Sequence, residues 1–189
     1  MNVYDFDGTL YKGDSSKDFI LFLIRKKPSL ILKMPNIMLK FFAYSNDKKR
    51  AKEIAFSILK YINAELYLEE FWNKYFSKKI VTWYKPMAKS YDMIISASPE
   101  FLLEPACRRL NIKSLIGTRM AMKSGAIYGE NCKGEEKVRR LQERKIYEID
   151  KFYSDSFDDQ PLANIAKQAF LVMPDGTFLE WPKAIGKKK

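Results

Sequence analysis

Acidic residues lie in two short segments whose spacing suits phosphate or metal chemistry. Asp5 and Asp7 are separated by one residue, and Asp155, Asp158 and Asp159 lie within five residues. Carboxylates this close repel one another unless a cation or a shared proton relieves the repulsion. Ligand sets made only of oxygen suit Mg²⁺. Each segment could also be an ordinary solvated acidic turn, and spacing alone leaves both interpretations open.

Hydroxyl and ammonium groups that could hold an anion occur elsewhere in the chain. Ser96–Pro99 follows an apolar run, and a hydroxyl with free backbone N–H groups at such a strand end can hold a phosphate or a carboxylate. An ordinary helix cap is the alternative. Lys133 and Lys137 are four residues apart near a predicted helix start, so either can neutralise charge between the acids and a phosphate.

Composition excludes several classes of mechanism. The chain has 189 residues, no histidine and two cysteines, Cys107 and Cys132, without CxxC spacing. This argues against catalytic triads, His-ligated metals, a zinc site and a disulfide scaffold. An apolar fraction of 47% predicts a folded chain with a real core rather than a disordered one.

Helices and short apolar runs alternate after residue 85, which predicts an α/β fold. Such alternation is typical of a doubly wound, Rossmann-like, mostly parallel sheet, in which ligands bind outside the carboxyl ends of the strands. We predict three buried strands, three helices, a hairpin and a turn. These are strands at Asp92–Ser96, Phe152–Ser154 and Phe170–Met173, helices at Glu100–Leu110, Glu135–Arg144 and Pro161–Ala169, a hairpin at Thr118–Tyr128 and a turn at Pro174–Thr177.

Residues 12–85 have a different character. They contain 16 basic and 7 acidic residues, and their apolar pattern is helical. Asp14 or Ser15 can cap a first helix, and Asp47 can cap a later one. We therefore predict an all-helical unit inserted after the first strand, with residues 1–11 and 86–189 forming the α/β core.

The motifs of the chain, taken in order, resemble a known family. Residues Asp5–Leu10, with the sequence DFDGTL, resemble the first motif of the haloacid dehalogenase superfamily of phosphohydrolases. Ser96, Lys137 and residues 155–159 follow in the order of its second, third and fourth motifs. The inserted helical unit resembles the cap of the phosphoserine phosphatase-like branch. The resemblance covers most of the chain, and the ordered set is more specific than the second or third motif alone.

This resemblance implies a role for each matching residue in catalysis. Asp5 would be the nucleophile that forms an aspartyl-phosphate, and Asp7 would protonate the leaving oxygen and then activate water. Ser96 and Lys137 would hold the phosphoryl oxygens. Lys133 is the alternative to Lys137, because phosphoserine phosphatases carry a lysine nearer to that position.

The resemblance also implies a magnesium site. Its ligands would be the Asp5 carboxylate, the Asp7 backbone carbonyl and Asp155, with Asp159 supporting the metal site. Asp158 stands where the fourth motif often has asparagine, and the additional negative charge could alter metal affinity. The expected activity is magnesium-dependent hydrolysis of a phosphomonoester.

The substrate is less defined by the sequence. Phe22–Pro28, Cys132–Leu141 and Tyr153–Ser156 are similar to the bacterial phosphatidylglycerophosphatase C group, whose members act on a phospholipid headgroup. This similarity implies phosphatidylglycerophosphate as one candidate. We interpret Phe19–Tyr44 as the helical core of the insertion rather than a membrane-binding surface, so small soluble phosphomonoesters are the broader expectation.

The net charge of +11 leaves a second class of function open. A basic protein can bind nucleic acid or an anionic membrane surface on a catalytic scaffold that has little hydrolase activity. No nucleic-acid-binding motif is visible, which argues against that partner. Basic residues and prolines interrupt the most apolar stretch, and no targeting segment is visible, so we expect a cytoplasmic protein with possible peripheral membrane contact. The oligomeric state is left open.

Overall fold

A six-stranded sheet runs through residues 1–182, the part of the chain that this computed structural model describes. The strand order is β3-β2-β1-β4-β5-β6, and every neighbouring pair is parallel except β5 and β6. The predicted mostly parallel, doubly wound α/β fold is thus confirmed. The strands are β1 (Asn2–Tyr4), β2 (Met93–Pro99), β3 (Ser114–Thr118), β4 (Ile149–Ser154), β5 (Ala166–Val172) and β6 (Phe178–Glu180).

Four α-helices lie between β1 and β2 in the chain, where the sequence predicts helices and no strand. Asp14 accepts a hydrogen bond from the Lys17 amide at 2.9 Å, and Asp47 accepts one from the Arg50 amide at 2.9 Å, so both predicted residues cap helices. The division into a core and an inserted domain stays a prediction. The helices are α1 (Ser15–Lys26), α2 (Met34–Ala43), α3 (Lys48–Phe56), α4 (Glu65–Lys79), α5 (Glu100–Leu110), α6 (Glu135–Glu143) and α7 (Gln160–Asn164).

The predicted helix over Pro161–Ala169 is wrong in its second half. The helix ends at Asn164, and β5 begins at Ala166. Ala166 pairs with Ile149, and Ala169 pairs with Phe152. Hydrogen bonding to a parallel neighbour therefore overrides the helical propensity of this short stretch.

Both faces of the central strands β1 and β2 are buried, as helices on both sides require. Val3 packs on one face with residues of α6 and α7, whereas Tyr4 packs on the other with residues of α5 and of the helical insertion. Alternate side chains of a strand point to opposite faces, so adjacent residues of β1 belong to different clusters. The central strands are thereby held rigidly, and their carboxyl ends carry the acidic segments.

The buried apolar side chains of the insertion belong to the same cluster as those on one face of the sheet. Phe22 and Phe71 meet edge to face with ring centroids 5.6 Å apart. Trp72 is fully buried, and its Nε1 donates a hydrogen bond to the Leu102 carbonyl at 2.7 Å. This contact ties α4 to α5, so the helices of the insertion rest on the sheet's own covering layer.

The interpretation of Phe19–Tyr44 as helical core holds for its first half only. Phe19, Phe22 and Leu23 are buried, whereas most of the large apolar side chains from residue 31 onward are exposed. In α2 only Ile37 is buried, since the neighbouring helix covers a single face. Among residues 1–182, no helix combines the length and apolar character needed to cross a bilayer.

Candidate active site

The acidic and hydroxyl segments of the sequence meet at the carboxyl ends of three neighbouring parallel strands. β1 lies between β2 and β4, and all three strands are parallel. Asp5 follows β1, the Ser96–Pro99 segment ends β2, and Asp155 follows β4. The Asp5 amide donates to the Tyr153 carbonyl at 2.9 Å, which extends the β1–β4 pairing to the first acid.

Asp5 is engaged by a buried ammonium group. Lys137 Nζ lies 2.8 Å from Asp5 Oδ1 and 2.8 Å from the Asp159 carboxylate, with its side chain 3% exposed. The Ser154 hydroxyl donates to Asp159 Oδ2 at 2.8 Å. Lys137 lies in the first turn of α6, and Asp159 lies just before α7. One cation therefore bridges the first and fourth motifs.

Burial and the neighbouring charges together determine the protonation states of Asp5 and Lys137. Burial raises the pKa of Asp5 above its usual range, against the lowering effect of the Lys137 ammonium. Burial also disfavours the charged form of Lys137, but Asp5 and Asp159 outweigh it and raise the pKa of the lysine. Lys137 is thus a cation at neutral pH, and an additional cation near Asp5 would favour the ionised carboxylate that a nucleophile requires.

The two candidate lysines occupy different places. Lys133 pairs with Asp158 at 2.7 Å on the surface, and both side chains are largely exposed. Lys137 lies in the site. The α6 helix starts after Gly134, so Lys133 precedes the helix and Lys137 points from its first turn toward Asp5.

The Asp7 carboxylate has partners of its own. Its Oδ1 accepts a hydrogen bond from the Ser15 amide at 2.6 Å, and its Oδ2 accepts one from the Ser98 hydroxyl. Ser15 begins α1, so the carboxylate sits at a helix N-terminus, where negative charge is favoured. Burial nevertheless raises the pKa of Asp7 to about 6. An acid with this pKa can both give and take a proton near neutral pH.

Ser98, which sequence reasoning missed, is the hydroxyl that contacts Asp7. Ser96 is buried, and its hydroxyl accepts from the Ser98 amide at 3.1 Å. The Ser98 hydroxyl also lies 2.8 Å from the Ser16 hydroxyl. The spacing of two residues carried the signal, because residues i and i+2 of a strand share a face. The assignment of Ser96 to phosphate binding stays a prediction.

Gly8 brings the backbone next to Asp155. Its φ of +74° is in the left-handed region, and a Cβ at this position would lie 2.0 Å from Asp155 Oδ2. The Asp155 amide donates to the Thr9 hydroxyl at 3.0 Å. The turn after β1 therefore packs directly against the Asp155 carboxylate, and only glycine fits at position 8.

The four predicted metal-binding acids do not form one carboxylate cluster. Residues 1–182 contain no group of three or more acidic or thiol side chains suited to a metal. The Asp7 carboxylate faces Ser15 and Ser98, and Asp159 faces Lys137. The Asp5 and Asp155 carboxylates and the Asp7 backbone carbonyl remain as donors. An all-oxygen set of this kind fits a hard cation such as Mg²⁺.

A lysine of the insertion also reaches the carboxyl end of β2. Lys52 Nζ, on α3, lies 2.8 Å from the Ala97 carbonyl and 2.8 Å from Asn131 Oδ1. Burial lowers the pKa of Lys52 to about 8, although Asp7 and Asp14 act in the opposite direction. The ammonium group is therefore still mostly charged at neutral pH, next to the carbonyl between Ser96 and Ser98. The predictions for this segment did not include it, since nothing in the sequence relates residue 52 to residue 97.

Comparisons with known proteins agree with this geometry. A family model described as haloacid dehalogenase-like hydrolase matches residues 3–164. The protein CicA of Caulobacter vibrioides is 30% identical over 74% of this chain and 70% of its own length. The histidinol-phosphatase of Neisseria meningitidis serogroup C is 27% identical over 92% of this chain and 90% of its own. A phosphoserine phosphohydrolase-like protein from Francisella tularensis shares the fold at 17% identity, with a TM-score of 0.61, over 91% of this chain and 86% of its own.

Proposed function

Given that the chain belongs to the haloacid dehalogenase-like hydrolase family and is a phosphatase, we propose that it hydrolyses phosphomonoesters through a covalent phosphate on Asp5 with Mg²⁺ as cofactor. The observation that carries this proposal is the separation of two neighbouring acids, buried Asp5 and half-buried Asp7, into two environments. Asp5 faces the Lys137 ammonium, whereas Asp7 faces hydroxyl and amide donors and has a pKa near neutral. Acids held in different environments can take different roles in one reaction.

In the first step an Asp5 carboxylate oxygen attacks phosphorus, and the bond between phosphorus and the ester oxygen breaks. Asp7 gives its proton to that leaving oxygen. In the second step Asp7 takes a proton from water, and the water oxygen attacks the same phosphorus. Inorganic phosphate leaves, Asp5 is restored as a carboxylate, and Asp7 regains its proton.

Cationic groups compensate for the charge of the phosphoryl group. Lys137 is positioned to contact its oxygens, and Ser96 is proposed to donate a hydrogen bond from β2. Asp5, Asp155 and the Asp7 carbonyl would hold Mg²⁺, with Asp159 in support through Lys137. Bound magnesium would neutralise charge on the phosphate and favour the ionised form of Asp5.

We propose either a small soluble phosphomonoester or a phospholipid headgroup phosphate, such as phosphatidylglycerophosphate, as the substrate. The position of Lys52 supports an anionic group at the boundary between the insertion and the sheet. Family membership supports an enzyme over the alternative of a nucleic-acid-binding or membrane-binding protein with little hydrolase activity.

The test is hydrolysis of an aryl phosphate by the native protein and by Asp5→Asn, with Mg²⁺ or with excess EDTA. We expect turnover with magnesium, its loss in EDTA, and recovery when magnesium is added back. Asp5→Asn should lose at least about 10³-fold in turnover, since the amide is not a nucleophile. Equal turnover by this variant would rule out Asp5, and full activity in EDTA would rule out the metal.

A further inference from the structure

Residues 31–42 present an apolar surface to solvent, which we call the apolar surface segment. It comprises the end of a 3₁₀ helix, Pro28–Lys33, and most of α2. Leu39 is 72% exposed and Phe42 is 65% exposed. Positions 35, 38, 39 and 42 follow α-helical spacing within α2, so their side chains lie on one face of that helix. The exposed large apolar residues of this segment are Ile31, Leu32, Met38, Leu39, Phe41 and Phe42.

The charged residues within this segment and next to it in the sequence are all basic. Residues 19–46 contain no aspartate or glutamate and five basic residues, which are Arg25, Lys26, Lys27, Lys33 and Lys40. Lys33 and Lys40 also line a cleft of about 660 Å³ together with Arg50 and Lys60. The single acid of that cleft, Glu53, accepts a hydrogen bond from the Ile127 amide at 2.8 Å.

Contiguous exposed apolar surfaces on globular proteins commonly mark an interaction site. We propose that the apolar surface segment docks this protein on an anionic lipid surface. The ten residues of α2 extend about 15 Å, which is half the thickness of the hydrocarbon layer, so the helix would lie in the interface. Aliphatic and aromatic side chains would enter the headgroup region while the flanking lysines meet lipid phosphates.

Charge complementarity distinguishes this occupant from a second copy of the chain. A symmetric dimer across the segment would bring together Lys33 and Lys40 of both copies, and residues 31–42 supply no acid to pair with them; like charges in an apolar interface are strongly unfavourable. An anionic lipid surface supplies the opposite charge and an apolar layer at once. The inference does not depend on the proposed catalytic mechanism, because docking requires none of the active-site residues.

The experiment is co-sedimentation of the full chain with vesicles of phosphatidylcholine alone or with phosphatidylcholine containing anionic phosphatidylglycerol. We expect binding to the anionic vesicles that weakens with rising salt, and little binding to the neutral ones. Leu39→Ser with Phe42→Ser should reduce the partition coefficient at least tenfold. Lys33→Gln with Lys40→Gln should reduce it about fivefold for each lysine.

Matched controls separate this surface from general exposure and charge. Leu66 on α4 is 73% exposed, so Leu66→Ser removes an equally exposed leucine from another helix. Lys113→Gln with Lys145→Gln removes two exposed lysines outside the insertion. Both controls should bind vesicles within twofold of the native protein.

Three results would overturn the proposal. The first is absence of binding to anionic vesicles at low salt. The second is binding that the Leu39→Ser, Phe42→Ser variant retains in full. The third is self-association of the native chain in analytical ultracentrifugation that the same variant abolishes, which would assign the surface to a second copy. Retained aryl phosphatase activity in the docking variants keeps these results separate from any failure of the proposed reaction.

Discussion

Two regions depart from the usual distribution of residues in opposite ways: the site around Asp5, at the carboxyl ends of the strands, and the apolar surface segment. Around Asp5, charged side chains are buried, and Lys137 satisfies two carboxylates at 2.8 Å. In the segment, large apolar side chains are exposed, and Leu39 and Phe42 remain 72% and 65% exposed. The two exceptions differ in whether the compensating partner lies inside the chain.

This difference indicates what each region requires. A buried charge without a partner costs several kcal/mol, so the chain supplies partners for the acids of the site from β2, β4, α1 and α6. An exposed apolar side chain costs little in folding, and its stabilisation becomes available only on contact with another phase or molecule. The buried acids therefore indicate chemistry, and the exposed segment indicates recognition.

The largest expected effect comes from breaking the buried ion pair. Lys137→Ala should lower the free energy of unfolding by roughly 3–5 kcal/mol, because it leaves Asp5 and Asp159 buried without their cation. Urea denaturation with an unchanged m-value is the measurement. Lys133→Ala is the control, since its pair with Asp158 is exposed and should cost at most about 1 kcal/mol. Equal losses in the two variants would contradict the distinction between the lysines.

Two phenylalanines of the insertion should differ by a similar amount in what their replacement costs in free energy of unfolding. Phe22 is 1% exposed and packs on Phe71, so Phe22→Ala should cost roughly 3–5 kcal/mol. Phe42→Ala should change the free energy of unfolding by about 0.5 kcal/mol or less, since Phe42 is mostly exposed. Parallel thermal and urea unfolding of the two variants measures this. A large loss in Phe42→Ala would mean that the apolar surface segment is part of the core after all.

A smaller effect should distinguish the two serines at the end of β2. Ser98→Ala removes the hydroxyl that donates to Asp7 and should lower turnover about tenfold, because the proton-transferring carboxylate loses a positioning partner. Ser96→Ala removes the proposed phosphate donor, and its main effect should be on KM. Steady-state kinetics with an aryl phosphate measures both. Identical kcat and KM changes in the two variants would contradict separate roles.

The motif order predicted which segments meet, and the residue types predicted their chemistry. Asp5 and Lys137 are 132 positions apart in the chain, yet the strand order brings them to 2.8 Å. The contacts of Ser98 and Lys52 were not predicted, since they depend on how α1 and α3 of the insertion settle on the end of β2. The two-residue spacing places Ser98 on the same face as Ser96, but local pattern carries no information about how the insertion packs there.

The remaining wrong predictions concern segments whose structure or burial depends on a neighbouring element. Ala166–Ala169 has residues compatible with a helix, and only pairing with β4 makes it a strand. The apolar stretch around α2 suggested burial, because hydropathy measures the preference of a side chain for an apolar environment and not whether the fold provides one. The second half of that stretch is exposed, which turned an expected core into a candidate interaction surface.

Direct detection of phosphate on Asp5 tests the central claim of a covalent mechanism. Asp7→Asn should still transfer phosphate from an aryl ester, whose leaving oxygen needs no proton, but should hydrolyse the intermediate slowly. Rapid acid quench followed by mass spectrometry of the peptide that contains Asp5 is the measurement. We predict an added phosphate on Asp5 in this variant and none in Asp5→Asn. Continued release of phosphate with no label on Asp5, or a label on another residue, would contradict the account.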